Sequence, residues 1–534
     1  MATDSLPQTA TAAGSAAAPN AGGAAPTPTG KLKAGALGLV GVLFMAVANA
    51  APITAMTGNV PIAVGSGNGL AAPAGFLVAT VVLTLFSVGF VKMARHITTA
   101  GGFYGFISHG LGQVWGMASG VLATFAYVVF EGSLIGIFSY FASDALDQWF
   151  GWQVDWLVLA GVGILLIALL GYFDISVAAV VLGVFLVAEV ILLGALAISV
   201  LVSGGGPDGM VWESLNPVKA FSGLAEGGGL GLEGVAAGSA AIGLFFAFWS
   251  WVGFETTAVY GEESRNPKRI VPRATLIAVV GLGLFYTFVS WMVIAGNGKA
   301  ASIDFGAKFD GIGMFADLAG SKLGGDWVVD VYLFLIVSGS FACALAFHNA
   351  ASRYLYAIGR EIPALRRSIG ATHATHGSPH VASLVQTAVT VVLTLGFYVF
   401  TVGGDDVLQG AYTYEYGLLA LMGTMAILIV QSICSAAVIV YFHVQKAHPG
   451  NVLTTGIIPA LGGIGMLYVV YLLFSNLSFA GGGASVSPFF HAIPYIVAVV
   501  FLAAAGYGFW LRAKRPAVFA TIGRTVLDES HERV

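Results

Sequence analysis

The sequence predicts an all-α integral membrane protein with about twelve transmembrane helices. Hydrophobic residues make up 57% of the 534-residue chain and charged residues only 9%, whereas soluble domains carry about 25% charged residues. Windows of about 20 apolar residues, the length that crosses a bilayer as a helix, recur along the chain. This composition excludes a soluble domain, and the net charge of −4 does not point to a nucleic-acid partner.

The apolar windows follow one another in order and are separated by short polar loops. They lie at residues 35–62, 73–92, 114–142, 154–173, 177–202, 236–261, 274–296, 327–357, 381–402, 412–442, 455–476 and 490–511. Residues 1–33 are rich in Ala, Pro, Gly, Thr and Ser, which predicts a disordered tail. The first apolar run is too long for the core of a signal peptide, so we expect it to remain as the first span.

Lysine and arginine predict the orientation, because cytoplasmic loops are enriched in both. Eighteen of the 22 lysines and arginines fall in one set of loops and in the two tails, whereas the other set holds only Lys219, Lys299, Lys308 and Lys322. We therefore expect both termini, including a tail at 513–534, to face the cytoplasm of a cell with the protein in its cytoplasmic (inner or plasma) membrane.

The sixth window contains the most informative stretch. The apolar segment Ala236–Phe248 runs into Gly253 and the carboxylate of Glu255 before it reaches a basic loop. An ionisable residue inside a span is costly and by default marks an ion or substrate pathway. A glycine beside it lets the helix open and frees backbone groups that need partners. In transporters, the cargo is a frequent partner of such groups.

The first window contains a second predicted break. Pro52 lies mid-window within 49–58, and proline removes a backbone donor and clashes with the preceding turn. Five spans separate this break from the one at Ser250–Gly253, so the two halves run in opposite directions, as in inverted-repeat transporters. The alternative interpretation, that Pro52 only kinks its helix and Gly253 only permits close packing, remains open.

Over about residues 34–445 the chain resembles amino acid–polyamine–organocation (APC) permeases, and three groups of motifs carry the resemblance. The first group is Phe-Trp-Ser-Trp-Val-Gly-Phe-Glu at 248–255, Gly-Glu-Glu-Ser-Arg-Asn-Pro at 261–267 and Ile-Val-Pro-Arg-Ala at 270–274. The second is Ala-Gly-Gly-Phe-Tyr at 100–104 with Gly-Leu-Gly at 110–112, and the third is Asn-Ala-Ala-Ser-Arg-Tyr-Leu-Tyr-Ala-Ile-Gly-Arg at 349–360. The resemblance implies the leucine-transporter fold, a 5+5 inverted repeat with broken helices 1 and 6. Spans 1–10 would then form a core at 34–445, with peripheral spans 11 and 12 at 446–512.

The resemblance also implies a substrate site at the two breaks. Backbone groups of the first break, at Ala51, Ile53 and Thr54, would meet a substrate carboxylate, since a helix N-terminus favours an anion. Carbonyls of Trp249, Ser250 and Val252 would meet the substrate ammonium, and the Trp249 ring would cover the substrate. The first break reads Ala-Ala-Pro-Ile-Thr where the family has a glycine-rich sequence, and proline offers no N–H.

Glutamates in the apolar windows are the other candidate residues. Glu131 is assigned to the substrate site, and Glu255 and Glu189 to coupling or gating, with a structural, neutral Glu189 as the alternative. Together with Glu415 they predict an acidic interior that attracts cations, which favours an amine-bearing substrate.

These observations predict a secondary transporter for amino acids or related amines, coupled to protons or another ion, or working by exchange. A membrane sensor that binds amines without moving them is the alternative. An enzyme is disfavoured, because the sequence offers no nucleophile–base pair and no metal-ligand spacing. We expect no cofactor, no metal and no nucleic-acid partner, and the oligomeric state is not predicted.

Overall fold

The structure is a computed structural model that describes residue 32 and residues 35–172, 175–373, 375–403, 407–475 and 487–523, with the side chains of 175–182 and 407 excluded. The N-terminal tail predicted to be disordered lies outside the described residues, apart from Leu32, and so does the chain beyond Gly523. Within the described residues the fold is all-helical, and β-pairing is limited to two isolated bridges.

The helices are numbered in chain order. They are α1 (Leu39–Ala50), α2 (Pro52–Gly65), α3 (Ala72–Ala94), α4 (Phe103–Leu111), α5 (Gln113–Phe150), α6 (Trp156–Tyr172), α7 (Ile175–Val202), α8 (Ala240–Trp249), α9 (Pro267–Asn297), α10 (Lys299–Ala307), α11 (Leu318–Leu323), α12 (Asp326–Glu361), α13 (His380–Thr401), α14 (Val407–Gln409), α15 (Gly417–Ile439), α16 (Ile458–Ser475), α17 (Pro488–Lys514) and α18 (Pro516–Thr521).

Ten helical segments among the described residues are long and apolar enough to cross a membrane, counting α1 with α2 as one segment. Two of the twelve predicted windows fall short of that length for different reasons. Helix α6 is apolar but has 17 residues, which is about 26 Å at 1.5 Å per residue. The sixth window is helical only over Ala240–Trp249 and continues as short 3₁₀ turns.

Helix α5 lies at the centre of the bundle. Its 38 residues pack along α12, α15, α4 and α17, and most of its side chains are buried. The outer helices instead expose large apolar side chains, among them Leu165, Val392 and Tyr471. An apolar surface of this kind is stable in lipid, where exposed hydrocarbon meets hydrocarbon.

The chain after α17 returns to the helix bundle. Ile522 is fully buried against Tyr104 of α4, and the Gly523 N–H donates to the Glu361 carboxylate at 2.6 Å. The Tyr104 hydroxyl also donates to Glu361. Burial, and secondly the Glu361 charge, raise the pKa of Tyr104 well above its usual value, so this hydroxyl stays protonated. The segment therefore connects α4 to the end of α12.

Candidate functional site

The ends of α1, α2 and α8 surround a small cavity, which we call the central pocket. Its volume is about 20 Å³, room for about one water molecule. Twelve residues, all without formal charge, line it: Asn49, Ala50, Ala51, Thr54, Ala55, Asn59, Leu134, Trp249, Ser250, Val252, Cys343 and Tyr416.

The interruption between α1 and α2 is a single residue. Ala51 has φ 40° and ψ 78°, a left-handed conformation between two right-handed helices. For an L-residue other than glycine this costs about 1–2 kcal/mol. Pro52 is the first residue of α2, a position where its fixed φ suits the helix and its missing N–H costs nothing. The direction of the chain thus changes at Ala51.

Side chains of the protein itself occupy the backbone groups freed at this interruption. The Cys343 thiol donates to the Asn49 carbonyl at 3.2 Å, and the Tyr286 hydroxyl donates to the Ala50 carbonyl at 2.8 Å. The Ile53 N–H donates to the Glu189 carboxylate at 3.3 Å. Buried backbone groups need such partners in a membrane interior.

The second interruption follows Trp249, where α8 ends. Gly253 has φ 119°, and a Cβ there would overlap the side chain and backbone of Asn49. Glycine is therefore required both by its dihedral angle and by the close approach of the end of α1. The Ser250 hydroxyl receives a hydrogen bond from the Asn59 amide at 2.8 Å, which connects the two interruptions across the pocket.

Trp249 forms one wall of the central pocket. Its ring stacks on Phe130 with centroids 4.4 Å apart, and its indole N–H donates to the Tyr416 hydroxyl at 3.0 Å. Tyr416 in turn donates to the Asn59 side-chain oxygen at 2.5 Å. Stacking and hydrogen bonding together fix the orientation of the indole ring.

Five of the predicted substrate-site residues line the pocket together: Ala51, Thr54, Trp249, Ser250 and Val252. The Thr54 hydroxyl oxygen is buried there without a hydrogen-bond partner. Ile53 and Glu131 do not line the pocket. Ile53 is fully buried and its amide is bound to Glu189, while Glu131 contacts His348 and Gln386 instead.

The expectation of an acidic interior is wrong for the central pocket, because none of the four glutamates lines it. Each has a separate protein partner. Glu131 accepts from Gln386 at 2.6 Å, Glu189 from the Ile53 amide, Glu255 from Tyr127 at 2.7 Å and from the Gly253 amide at 3.1 Å, and Glu415 from Thr394 at 2.7 Å. A count of carboxylates along the sequence does not distinguish a shared cavity from separate buried sites.

Sequence reasoning missed several lining residues. Asn49 and Asn59 are polar residues in an apolar window, and that signal could have identified them. Leu134, Cys343 and Tyr416 carry no such signal. They reach the pocket only because α5, α12 and the turn before α15 pack around it.

Three stacked tyrosines separate the central pocket from a second cavity, the acidic vestibule. Tyr140 stacks on Tyr412 at 4.9 Å, and Tyr412 stacks on Tyr416 at 5.6 Å. The vestibule has a volume of about 380 Å³. Its lining includes the rings of Tyr140 and Tyr412 and three aspartates, Asp144, Asp310 and Asp317. The Tyr412 hydroxyl donates to the Gly58 carbonyl at 2.9 Å, so the stack is attached to α2.

Two ion pairs lie further along α12, where Arg353 and Arg360 follow the pocket residue Cys343 by ten and 17 residues. Arg353 binds Glu263 through two hydrogen bonds of 2.6 and 2.9 Å, and Arg360 binds Glu262 through two of 2.5 and 2.9 Å. The chain before α1 pairs here too, since the Leu37 N–H donates to the Glu263 carbonyl at 3.0 Å. These contacts, which we call the ion-pair cluster, join α12, the start of α1 and the turns before α9.

In the part of the chain that the structure describes, no group of three or more His, Cys, Asp or Glu side chains is arranged to hold a metal ion. The expectation that this protein needs no metal or cofactor stays a prediction.

The family described as amino acid permease matches residues 37–503. The branched-chain amino acid permease BcaP of Bacillus subtilis (strain 168) is 24% identical over 241 residues, which cover 44% of this chain and 45% of that protein. The alignment therefore spans about half the length of this curated relative.

Two crystal structures of the Eremococcus coleocola manganese transporter are similar in fold. One is of a single-site mutant and the other of a complex with an aromatic bis-isothiourea substituted compound, with 11% and 13% sequence identity. Each has a TM-score of 0.51 and is matched over 95% of its length by 90% of this chain. At such low identity, the comparison shows a shared fold.

Proposed function

The chain belongs to the amino acid permease family, and from this premise we propose that it is a secondary transporter that moves amino acids or related amines by alternating access. One observation carries the proposal. The central pocket lies where two interrupted helices meet, with the tyrosine stack beside it and the ion-pair cluster further along α12. A site that can open to either side in turn is what alternating access requires.

The lining of the pocket supports a substrate without net charge. Its side chains are neutral, and its polar groups are the hydroxyls of Thr54, Ser250 and Tyr416, the amides of Asn49 and Asn59, the Trp249 indole N–H and the Cys343 thiol. A buried unpaired charge is costly, so a net cation would need a counter-charge that this lining does not offer. A zwitterionic amino acid with an apolar side chain matches the neutral charge of this lining best, and the similarity to a branched-chain amino acid permease supports this choice.

Membership of the amino acid permease family supports the finer architecture that we propose. In it, α1 with α2, and α8 with the turns after it, are spans 1 and 6 of a twelve-span, 5+5 inverted repeat within residues 34–445. Spans 11 and 12, at 446–512, are peripheral. The termini face the cytoplasm of a cell that carries the protein in its cytoplasmic membrane, so that the acidic vestibule faces outward.

Glu189 and Glu255 are the proposed coupling or gating groups. Each carboxylate accepts a hydrogen bond from a backbone N–H at one interruption. Glu189 accepts from Ile53, and Glu255 accepts from Gly253. A change in the charge of either group would change the stability of its interruption. Proton coupling is therefore the favoured form of energy input, with exchange as the alternative.

Uptake into proteoliposomes tests this function. We expect purified protein to accumulate L-leucine or L-alanine, and to move L-lysine and putrescine less well, with protein-free liposomes as the control. Accumulation of none of the four while one of them binds in a thermal-shift assay would favour the membrane sensor. Preferential uptake of putrescine would contradict a substrate without net charge.

A further inference from the structure

Glu131 and His348 form a buried pair behind the wall of the central pocket. Both side chains are fully buried, and the His348 Nδ1 lies 3.1 Å from each carboxylate oxygen of Glu131. Neither residue lines the pocket. The pair joins α5 to α12, and the mechanism proposed above does not use it.

The direct partners of this pair are neutral. Gln386 donates to the Glu131 carboxylate at 2.6 Å, and the Ser383 hydroxyl lies 2.7 Å from the His348 Nε2. Gly171 of α6 lies against the imidazole ring. Helices α6, α13 and α15, which pack around the pair, contain no Lys, Arg, Asp or Glu.

The other titratable groups of the surrounding helices have contacts of their own. On α12, Arg353 is bound to Glu263, and on α5, Tyr127 donates to Glu255. Tyr172 at the end of α6 and His380 at the start of α13 contact each other, with ring centroids 6.0 Å apart. On α15 there is only the buried thiol of Cys434. Among the residues that the structure describes, no ion contacts the pair directly.

A buried carboxylate and imidazole behave as one titrating unit. With one proton between them the pair is neutral overall, whether the proton is on Glu131 or His348; a second proton gives it a net positive charge. Histidine is the side chain that normally changes charge near neutral pH, and the two steps belong to the pair rather than to either residue. The proton comes from hydronium, whose O–H bond breaks as the new N–H or O–H bond of the pair forms and which leaves as water.

The pair is connected to the pocket through its neighbours in sequence. Phe130 precedes Glu131, and its ring stacks on that of Trp249 with centroids 4.4 Å apart. Phe347 precedes His348, and its ring centroid lies 5.2 Å from that of Phe130 and 6.1 Å from that of Trp249. Both phenylalanines are buried. In a close-packed interior, a shift of α5 against α12 moves both rings and with them the tryptophan.

We propose that Glu131 and His348 form a proton-binding pair whose charge positions the aromatic wall of the central pocket. Substrate binding and protonation are then linked, because each favours one position of Trp249. This inference rests on the proposed function only in taking the central pocket as the substrate site. Glu131 and His348 are positioning residues, since they act on Trp249 through Phe130 and Phe347.

Tryptophan fluorescence tests this pair without any substrate. Emission of the purified protein is recorded from about pH 5 to pH 9, the range in which a histidine changes charge. The change that Trp249→Phe removes belongs to Trp249. We expect one such transition in the wild type and its loss in Glu131→Gln and in His348→Gln. Glu361→Gln, a matched change at a buried glutamate at the far end of α12, is expected to keep it.

Two results would overturn the inference: a wild type with no Trp249-dependent transition, or a transition that both pair variants retain. If Glu131→Gln does not fold, Glu131→Asp replaces it, because aspartate keeps the ionisable group. We expect the fluorescence transition of Glu131→Asp at a different pH from that of the wild type, and a variant without any transition would contradict the inference. Because no substrate is present, these outcomes are independent of whether the protein transports amino acids.

Discussion

The carboxylate of Glu189 on α7 accepts the backbone N–H of Ile53 on α2 at 3.3 Å. Pro52 has no N–H, so the Ile53 amide is the first donor at the N-terminus of α2. The positive end of a helix dipole favours an anion at this position. The protein thus supplies its own carboxylate where the family resemblance placed the carboxylate of a substrate.

We predict that Glu189→Gln preserves substrate binding and flattens the pH dependence of uptake. Glutamine keeps the size of the side chain and can accept the Ile53 N–H, but it does not ionise. Initial uptake of L-leucine against external pH checks this, with the wild type as reference. If the variant keeps a wild-type pH profile, Glu189 is structural and the proton is carried elsewhere.

Trp249→Ala is predicted to abolish uptake while the amount of protein in the membrane stays near the wild-type level. The variant removes the pocket wall that Phe130 and Tyr416 hold in place. Trp251→Phe is the matched control, since Trp251 is buried two residues away and its indole donates to the Val279 carbonyl outside the pocket. Unchanged substrate affinity in Trp249→Ala would show that the ring does not contact substrate.

Much of the fold was predictable because lipid imposes a simple rule on the sequence. A helix that faces hydrocarbon must be apolar over about 20 residues, so ten of the twelve predicted windows correspond to long apolar helices. The exceptions are α6, whose described part ends at Tyr172 beside residues outside the described ranges, and α8, whose end hydropathy does not report. The apolar window at 236–261 continues past Trp249, but Gly253 has φ 119° and the helix does not continue through it.

The candidate site was predicted by two kinds of signal. Pro52, Gly253 and Glu255 stand out in apolar windows and indicated the two interruptions, and the resemblance to APC permeases then assigned Ala51, Thr54, Trp249, Ser250 and Val252, which line the pocket. Whether a buried glutamate faces a cavity depends on helix rotation and on its partners. Glu131 shows this, because its partners His348 and Gln386 lie 217 and 255 residues away in the chain.

The conformation of Ala51 leads to a prediction about stability. Ala51→Gly relieves a left-handed conformation that costs about 1–2 kcal/mol, and it removes one buried methyl group worth about 0.8 kcal/mol. We therefore expect little change in thermal stability. Ala55→Gly, in the regular helix α2, loses the methyl group and about 1 kcal/mol of helix propensity. Equal destabilisation of the two variants in thermal unfolding would contradict a strained Ala51.

The ion-pair cluster is predicted to be far more important for stability than a surface pair. Arg353→Met leaves Glu263 buried without its partner, a change that costs about 3–5 kcal/mol. Lys308→Met is the control, because Lys308 and Asp304 form an exposed pair one helical turn apart, of a kind worth about 0.5 kcal/mol. Denaturant unfolding in detergent measures both. The double variant Glu263→Gln/Arg353→Met is expected to recover part of the loss, and no recovery would mean that the arginine acts through other contacts.

The orientation of the chain is predicted from its charges and can be tested across a single helix. Lys268 and Lys308 are both exposed and lie at opposite ends of α9 and the short helix that follows it. Because α9 has 31 residues and is apolar enough to cross a membrane, cysteines at these two positions should label from opposite sides of intact cells. A membrane-impermeant maleimide is expected to label Lys308→Cys from outside and to reach Lys268→Cys only after permeabilisation.

The native Cys343 and Cys434 are both buried, so the unsubstituted protein provides the background. Labelling of Lys268→Cys alone in intact cells would invert the proposed orientation and place the acidic vestibule on the cytoplasmic side, and labelling of both would contradict α9 as a span.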